Sequence, residues 1–159
     1  MAVVYLGIGS NLGDKQGNCL GALERLSTKG VTISKRSAFY ETQPWGVVDQ
    51  PDFVNMAVQA ETWMSPEELL GALKEIEREM GRKVSSRWGP RLIDLDLLLY
   101  DGRIVQSRDL VIPHPLLHQR DFVLLPLAEI APDAVHPVLK MTIAEIKKRL
   151  RDETDHLCK

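Results

Sequence analysis

Arg87-Trp88-Gly89-Pro90-Arg91-Leu92-Ile93-Asp94-Leu95-Asp96-Leu97-Leu98-Leu99-Tyr100 is an aliphatic run interrupted by two carboxylates. It reads as a buried strand. Side chains at i and i+2 of a strand point the same way, so Asp94 and Asp96 share one face and Leu95 and Leu97 the other. Two unit charges roughly 6.5 Å apart repel by about 2.5 kcal/mol at an effective dielectric of about 20. An apolar strand that carries such a pair calls for a cation. Carboxylates with no His or Cys beside them suit a hard ion, Mg²⁺ first. Mg²⁺ held by few carboxylates implies a phosphate ligand, and Arg87 and Arg91 supply charge for one. The competing reading is a solvated edge strand with surface Asp residues; the cost of burying charge weighs against it.

Upstream of this strand the pattern is regular. Val3 to Ile8 reads as a strand ending at Gly9-Ser10-Asn11. Asp14 caps a helix over about Lys15 to Ser27. Val31 to Tyr40 reads as one strand. Pro44 to Pro51 is a proline-bounded loop. Phe53 to Thr62 is a strand with Phe53, Asn55, Ala57 and Gln59 on one face. Ser65-Pro66-Glu67-Glu68 opens a helix with a capping box, and Gly81 stops it. The order β-α-β-β-α-β is the ferredoxin-like pattern, an α+β antiparallel sheet with helices packed on it. Downstream, Asp101-Gly102 signals a hairpin into Arg103-Ile104-Val105. The proline-rich tail gives short helices and turns, with a last amphipathic helix over Ile143 to Leu150. These form a C-terminal elaboration of a single domain over 1–159.

Composition narrows the classes. The 159 residues are 44% hydrophobic with a formal net charge of −2. That fits a globular chain and speaks against bulk electrostatic binding of nucleic acid. Cys19 and Cys158 match no zinc spacing and fit a reducing compartment. No signal peptide and no membrane-length apolar run is visible, so a cytoplasmic location is expected.

Gly7-Ile8-Gly9-Ser10-Asn11-Leu12-Gly13 follows a strand, but its third glycine is one place late for a dinucleotide fingerprint. It reads either as a tight strand-to-helix turn or as a place where Ser10 and Asn11 support a site. His114 and His118 stand four apart, with no third zinc-type ligand near. His114 bonded to a phosphate or a buried polar group is the better reading. Phe53 lies two places from Asn55 on one strand face, a ring beside an amide, suited to a flat hydrogen-bonding heterocycle. Glu75, Glu77, Arg78 and Glu79 read mostly as a solvated face, though acidic groups in a last helical turn oppose the dipole. Arg82 to Arg87 is a polar linker anchored only by Val84 and is expected to be mobile.

Arg87-Trp88-Gly89-Pro90-Arg91 followed by Asp94-Leu95-Asp96 resembles the signature of the 6-hydroxymethyl-7,8-dihydropterin pyrophosphokinases of folate biosynthesis. Phe39-Tyr40-Glu41-Thr42 with Pro44 and Gly46, then Gln50 to Asn55, resembles the pterin-binding region of that family. Ile112-Pro113-His114-Pro115 and Arg120 to Leu127 resemble its C-terminal region. The resemblance implies an ATP-dependent pyrophosphokinase that passes pyrophosphate to the pterin hydroxymethyl group and releases AMP. It implies two Mg²⁺ ions held by Asp94 and Asp96, with Arg82 and Arg91 acting on the phosphates. It places the pterin between Phe53 and Phe122, with Asn55, Thr42 and Trp45 at its edge and Trp88 on a loop that closes over it. It places Lys74, Glu77, Arg82, Arg91, His114 and Arg120 about the nucleotide. The expected partners are ATP and the pterin, with no nucleic acid and no membrane, and the expected state is a monomer. Two rival classes share the fold: a nucleic-acid module stacking bases on its aromatics, and a non-catalytic sensor of pterin or nucleotide.

Overall fold

The computed structural model describes residues 1–42, 52–81 and 92–157. The chain runs β1 (Ala2–Ser10), α1 (Lys15–Thr28), β2 (Val31–Arg36), β3 (Tyr40–Thr42), β4 (Phe53–Thr62), α2 (Pro66–Glu79) and β5 (Asp94–Tyr100). The elaboration follows as β6 (Val105–Gln106), β7 (Val111–Ile112), a 3-10 turn (Leu117–Gln119), α3 (Asp121–Ile130), β8 (Val135–His136), β9 (Met141–Thr142) and α4 (Ile143–Leu157). The main sheet has the order β2-β4-β1-β5, all antiparallel, with β3 also on β4. This is the ferredoxin-like arrangement that the element order predicts.

The helix starts are chemical. The Asp14 carboxylate accepts the Gly17 N–H at 3.1 Å. Ser65 and Glu68 exchange side-chain-to-backbone bonds at 3.2 and 2.9 Å, and Pro66 follows Ser65. Each such cap contributes about 1 kcal/mol. Gly81 ends α2 at φ +88°, a conformation glycine adopts at no steric cost.

Two cores sit on the two faces of the sheet. Val4, Leu6 and Ile8 of β1, Met56, Val58 and Ala60 of β4, and Leu95 and Leu97 of β5 pack on Cys19, Ala22 and Leu26 of α1 and Leu69, Leu73 and Ile76 of α2. On the opposite face Ala57, Leu98 and Leu99 pack on Val123, Leu124 and Leu127 of α3 and Ile143 and Ile146 of α4. The elaboration therefore covers part of the second face; at its β1–β4–β5 end the described residues are Phe53, Asn55, Asp94 and Asp96. Cys19 is a free, buried thiol, and burial pushes its pKa up to about 12.

Three local expectations change. Val31 to Tyr40 is not one strand: Ser37 turns into the sheet, its N–H bonded to the Ala57 carbonyl and its hydroxyl accepting the Ala57 N–H, both at 2.9 Å. The chain breaks there and resumes as β3 along the same edge of β4. Asp101-Gly102 does not close a hairpin onto β5. The Asp101 carboxylate takes the Val3 N–H at 2.8 Å, and β6 pairs with β7 instead. The last helix runs seven residues beyond Leu150, to Leu157. No helix among the described residues is long and apolar enough to cross a membrane.

His136, buried at the start of the β8–β9 hairpin, accepts the Val138 and Leu139 N–H groups on Nδ1 at 3.3 and 3.1 Å. Burial first, then the nearby His118 ring, lowers its pKa. The native state therefore favours neutral His136, and the unfolded chain takes up a proton first as pH falls. Its contribution is complete above the ordinary His pKa of about 6.5 and is lost progressively below that. The thermal midpoint should fall between pH 7.5 and 5.5, and by less in His136→Asn, whose amide oxygen can accept the same N–H groups without titrating. An equal fall in both proteins would remove His136 from the account.

Candidate active site

The sheet register assembles the site. Asn55 of β4 and Asp94 of β5 both lie opposite Gly9 of β1, and Tyr40 of β3 lies opposite Asn55. One row across the sheet thus reads Tyr40, Asn55, Gly9, Asp94. The next reads Ala57, Gly7, Asp96. Directly paired residues of antiparallel strands point to the same face, so both carboxylates share the face of Asn55. Asp94 and Asp96 are half-buried, the Asp96 side chain 32% exposed. The shared face predicted from spacing is therefore present, and it is neither a dry core nor a fully solvated edge.

Gly7 lies inside the strand, as expected, and Gly9 belongs to it as well, not to the turn that ends it. Gly13, at φ +71°, serves the turn. Gly9 makes room: a Cβ there would stand 2.7 Å from Asn55 Oδ1 and 3.7 Å from Phe53 Cδ1. The Asn55 amide and the Phe53 ring thus converge over bare backbone, beside Asp94. At the end of the strand, Ser10 and Asn11 are fully buried, and Asn18 Nδ2 bonds Ser10 Oγ at 3.2 Å and the Leu12 carbonyl at 2.8 Å. That network fixes the exit of β1 behind the site.

The tail supplies the remaining groups. The His114 N–H bonds the Leu98 carbonyl of β5 at 3.0 Å. This returns the segment to the sheet and sets His114 Nε2 3.8 Å from Asp96 Oδ1. His114 Nδ1 accepts the Leu116 N–H at 3.2 Å, which leaves the ring proton on Nε2, toward Asp96. Burial, then the Arg120 cation, lowers the His114 pKa against an opposing pull from Asp94. The contact is that of a neutral imidazole with a carboxylate, not an ion pair. Arg120 precedes α3 in extended backbone, with its guanidinium carbon 5.3 Å from the centroid of Phe122 on the first helical turn. His118, paired with His114 in the zinc reading, instead meets the His136 ring edge-on at 6.3 Å between centroids.

Glu77 departs from the solvated face expected for it and for its neighbours. It is buried, and its carboxylate accepts the Leu95 N–H at 2.9 Å, between the two aspartates. Glu75 and Glu79 pair with Lys29 at 3.2 and 3.0 Å, which offsets their unfavourable place at the end of α2. Lys74 is exposed on the same helix. Thr42 ends β3 opposite Phe53. Trp45, Arg82, Trp88 and Arg91, with the expected mobile linker, lie outside the described residues.

The donor set fits a hard divalent cation. Asp94 and Asp96 offer oxygen only, and two carboxylates leave most of an octahedral shell to phosphate and water. Among the described residues no group of three or more His, Cys, Asp and Glu side chains gathers into a closed cage.

A ferredoxin-like sheet that sets a carboxylate pair on the same face as a buried amide and the Phe53 ring, across the bare backbone of Gly9, defines a small α+β enzyme of phosphate chemistry. The chain belongs to a particular family of that class. Residues 5–132 match the model of the 7,8-dihydro-6-hydroxymethylpterin-pyrophosphokinases. The chain is 44% identical over 147 residues to the 2-amino-4-hydroxy-6-hydroxymethyldihydropteridine pyrophosphokinase of Aquifex aeolicus, covering 92% of this chain and 91% of that protein. It is 42% identical over 153 residues to the enzyme of the same name from Haemophilus influenzae, covering 96% and 95%. The fold is also that of a Plasmodium falciparum HPPK-DHPS crystal structure, at a TM-score of 0.74 and 18% identity. That match covers 94% of this chain and 43% of the longer one, so the likeness extends over less than half of the solved chain.

Proposed function

We propose that this protein transfers pyrophosphate from ATP to the hydroxymethyl group of 6-hydroxymethyl-7,8-dihydropterin, releasing AMP. The family match supports this reading. What carries it to particular residues is the row Asn55, Gly9, Asp94, in which an amide suited to a heterocycle edge faces, across the intervening strand β1, a carboxylate suited to a phosphate-bound cation.

Asp94 and Asp96 would hold Mg²⁺, two ions with ATP, which when bound neutralises phosphate charge and favours the attacking alkoxide. The chain's own part is positioning and electrostatics. Asn55 hydrogen-bonds the pterin edge, with Thr42 and Trp45 beside it. Phe53 and Phe122 bracket the ring. The pterin hydroxymethyl oxygen attacks the β-phosphorus of ATP and gives up its proton to water, the bond from that phosphorus to the AMP oxygen breaks, and AMP leaves. Arg82, Arg91 and Arg120 stabilise charge on the phosphates and the leaving group. His114, neutral with its proton on Nε2, is a donor beside Asp96 and adds no positive charge. Glu77 holds the Leu95 N–H and so fixes the pitch of β5 between the aspartates, with Lys74 toward the nucleotide. Trp88 closes over the site and excludes water. No side chain is assigned as general base. The chain acts as one domain over 1–159 and as a monomer.

The deciding experiment is a coupled assay for AMP, run with and without the reduced hydroxymethylpterin. AMP release that requires the pterin is expected; binding of either ligand without AMP release would favour a sensor. The rings give a second check. Phe53→Ala and Phe122→Ala should each weaken pterin binding by about 1–3 kcal/mol, the range for base–aromatic stacking. A non-hydrolysable ATP analogue should bind almost unchanged. Equal weakening of both ligands would make the rings core residues.

A further inference from the structure

Glu129 makes a contact that the reaction scheme does not use. From the exposed side of α3 it reaches the joint between β2 and β3. Its two carboxylate oxygens accept the Ala38 N–H at 3.2 and 3.1 Å, and one of them accepts the Tyr40 hydroxyl at 2.6 Å. This bond, with burial, pushes the Tyr40 phenol up to about 12, so it remains a donor.

What the contact joins gives it significance. Tyr40 pairs with Asn55 and Thr42 with Phe53, so β3 is the strand beside the ring and amide of the site. Phe122 stands on the first turn of the helix that carries Glu129. One carboxylate therefore ties the strand beside one aromatic to the helix bearing the other. The strand needs an anchor: β3 is three residues long, begins after the break at Ser37, and lies on an edge. Such strands open locally at low cost. Ser37 secures the far side of the break through Ala57. Glu129 secures the near side, and being exposed it does so without core packing.

We infer that Glu129 is a positioning residue for the pterin: through Ala38 and Tyr40 it sets the spacing between the Phe53–Asn55 wall and Phe122. It touches neither substrate. The inference rests on the reading of this face as the pterin site.

The test uses Glu129→Ala and Tyr40→Phe in the full-length enzyme. Dissociation constants are measured for the hydroxymethylpterin, by its fluorescence, and for a non-hydrolysable ATP analogue, alongside kcat and KM. Glu129→Ala should raise pterin Kd and KM about tenfold, the loss expected for charge-assisted hydrogen bonds, with nucleotide Kd and kcat nearly unchanged. Tyr40→Phe keeps the Ala38 bond and should show a smaller rise in the same two constants. A lower melting temperature with unchanged pterin Kd, or equal weakening of both ligands, would overturn the inference. Should Glu129→Ala fail to fold, Tyr40→Phe decides alone: normal pterin affinity overturns the inference. Absence of AMP release by the wild-type enzyme would instead defeat the proposed reaction, and pterin Kd in the variants would still read the role of Glu129.

Discussion

Asp94→Ala or Asp96→Ala is expected to cut turnover roughly a thousandfold or more, since a lost metal ligand removes several kcal/mol of transition-state stabilisation. The fold should survive. Both side chains are half-buried, and neither belongs to the two apolar cores. Removing one of two repelling carboxylates should leave the melting temperature of the metal-free protein equal to or above that of the wild type. The expected signature is thus opposite movement: activity gone, stability held. Steady-state AMP release at several Mg²⁺ concentrations, with thermal melts in chelator, measures both. Near-normal turnover of either variant at ordinary Mg²⁺ would remove the pair from the mechanism.

Gly9→Ala should have the next largest effect, through a different route. The added Cβ would meet Asn55 Oδ1 at 2.7 Å, and that atom is the end of a side chain, so the amide can swing away and the strand can stay. The cost falls on recognition. A displaced Asn55 cannot present its amide to the pterin edge, and pterin affinity should drop roughly ten- to a hundredfold, the range for losing one or two hydrogen bonds at a polar site. Gly7→Ala is the control. Its Cβ would find Leu98 Cδ1 at 3.6 Å and Asp96 Cβ at 3.8 Å, ordinary contacts. Pterin titrations on both variants should separate them. Equal affinity in Gly9→Ala and wild type would mean that Asn55 does not read the pterin.

Local chemistry in the chain was enough for most elements. The helix caps at Asp14 and Ser65, the stop at Gly81 and the strand over Phe53–Thr62 all lie where residue type and period place them. Local preference gave way where a long-range partner competed with it. Ser37 breaks an apparently continuous strand because Ala57 offers both its backbone groups. Asp101 abandons a hairpin because the first strand offers the Val3 N–H. Glu77 turns inward from an acidic helix end because β5 presents the Leu95 N–H.

The site divides along the same line. That Asp94 and Asp96 share a face, and that Phe53 and Asn55 share one, follows from the period of a strand, which any two residues on it carry with them. That these are the same face, on either side of Gly9, is a matter of register, and register is set by pairing between segments far apart in the chain. The placing of His114 beside Asp96 depends on a tail that returns to the sheet, with a backbone bond to Leu98. The sequence by itself determined the elements and the kind of chemistry, because caps, periods and charges act within a few residues. Tertiary structure alone decided which groups meet, because the space left by Gly9 of β1 has meaning only once β4 and β5 lie on either side of it.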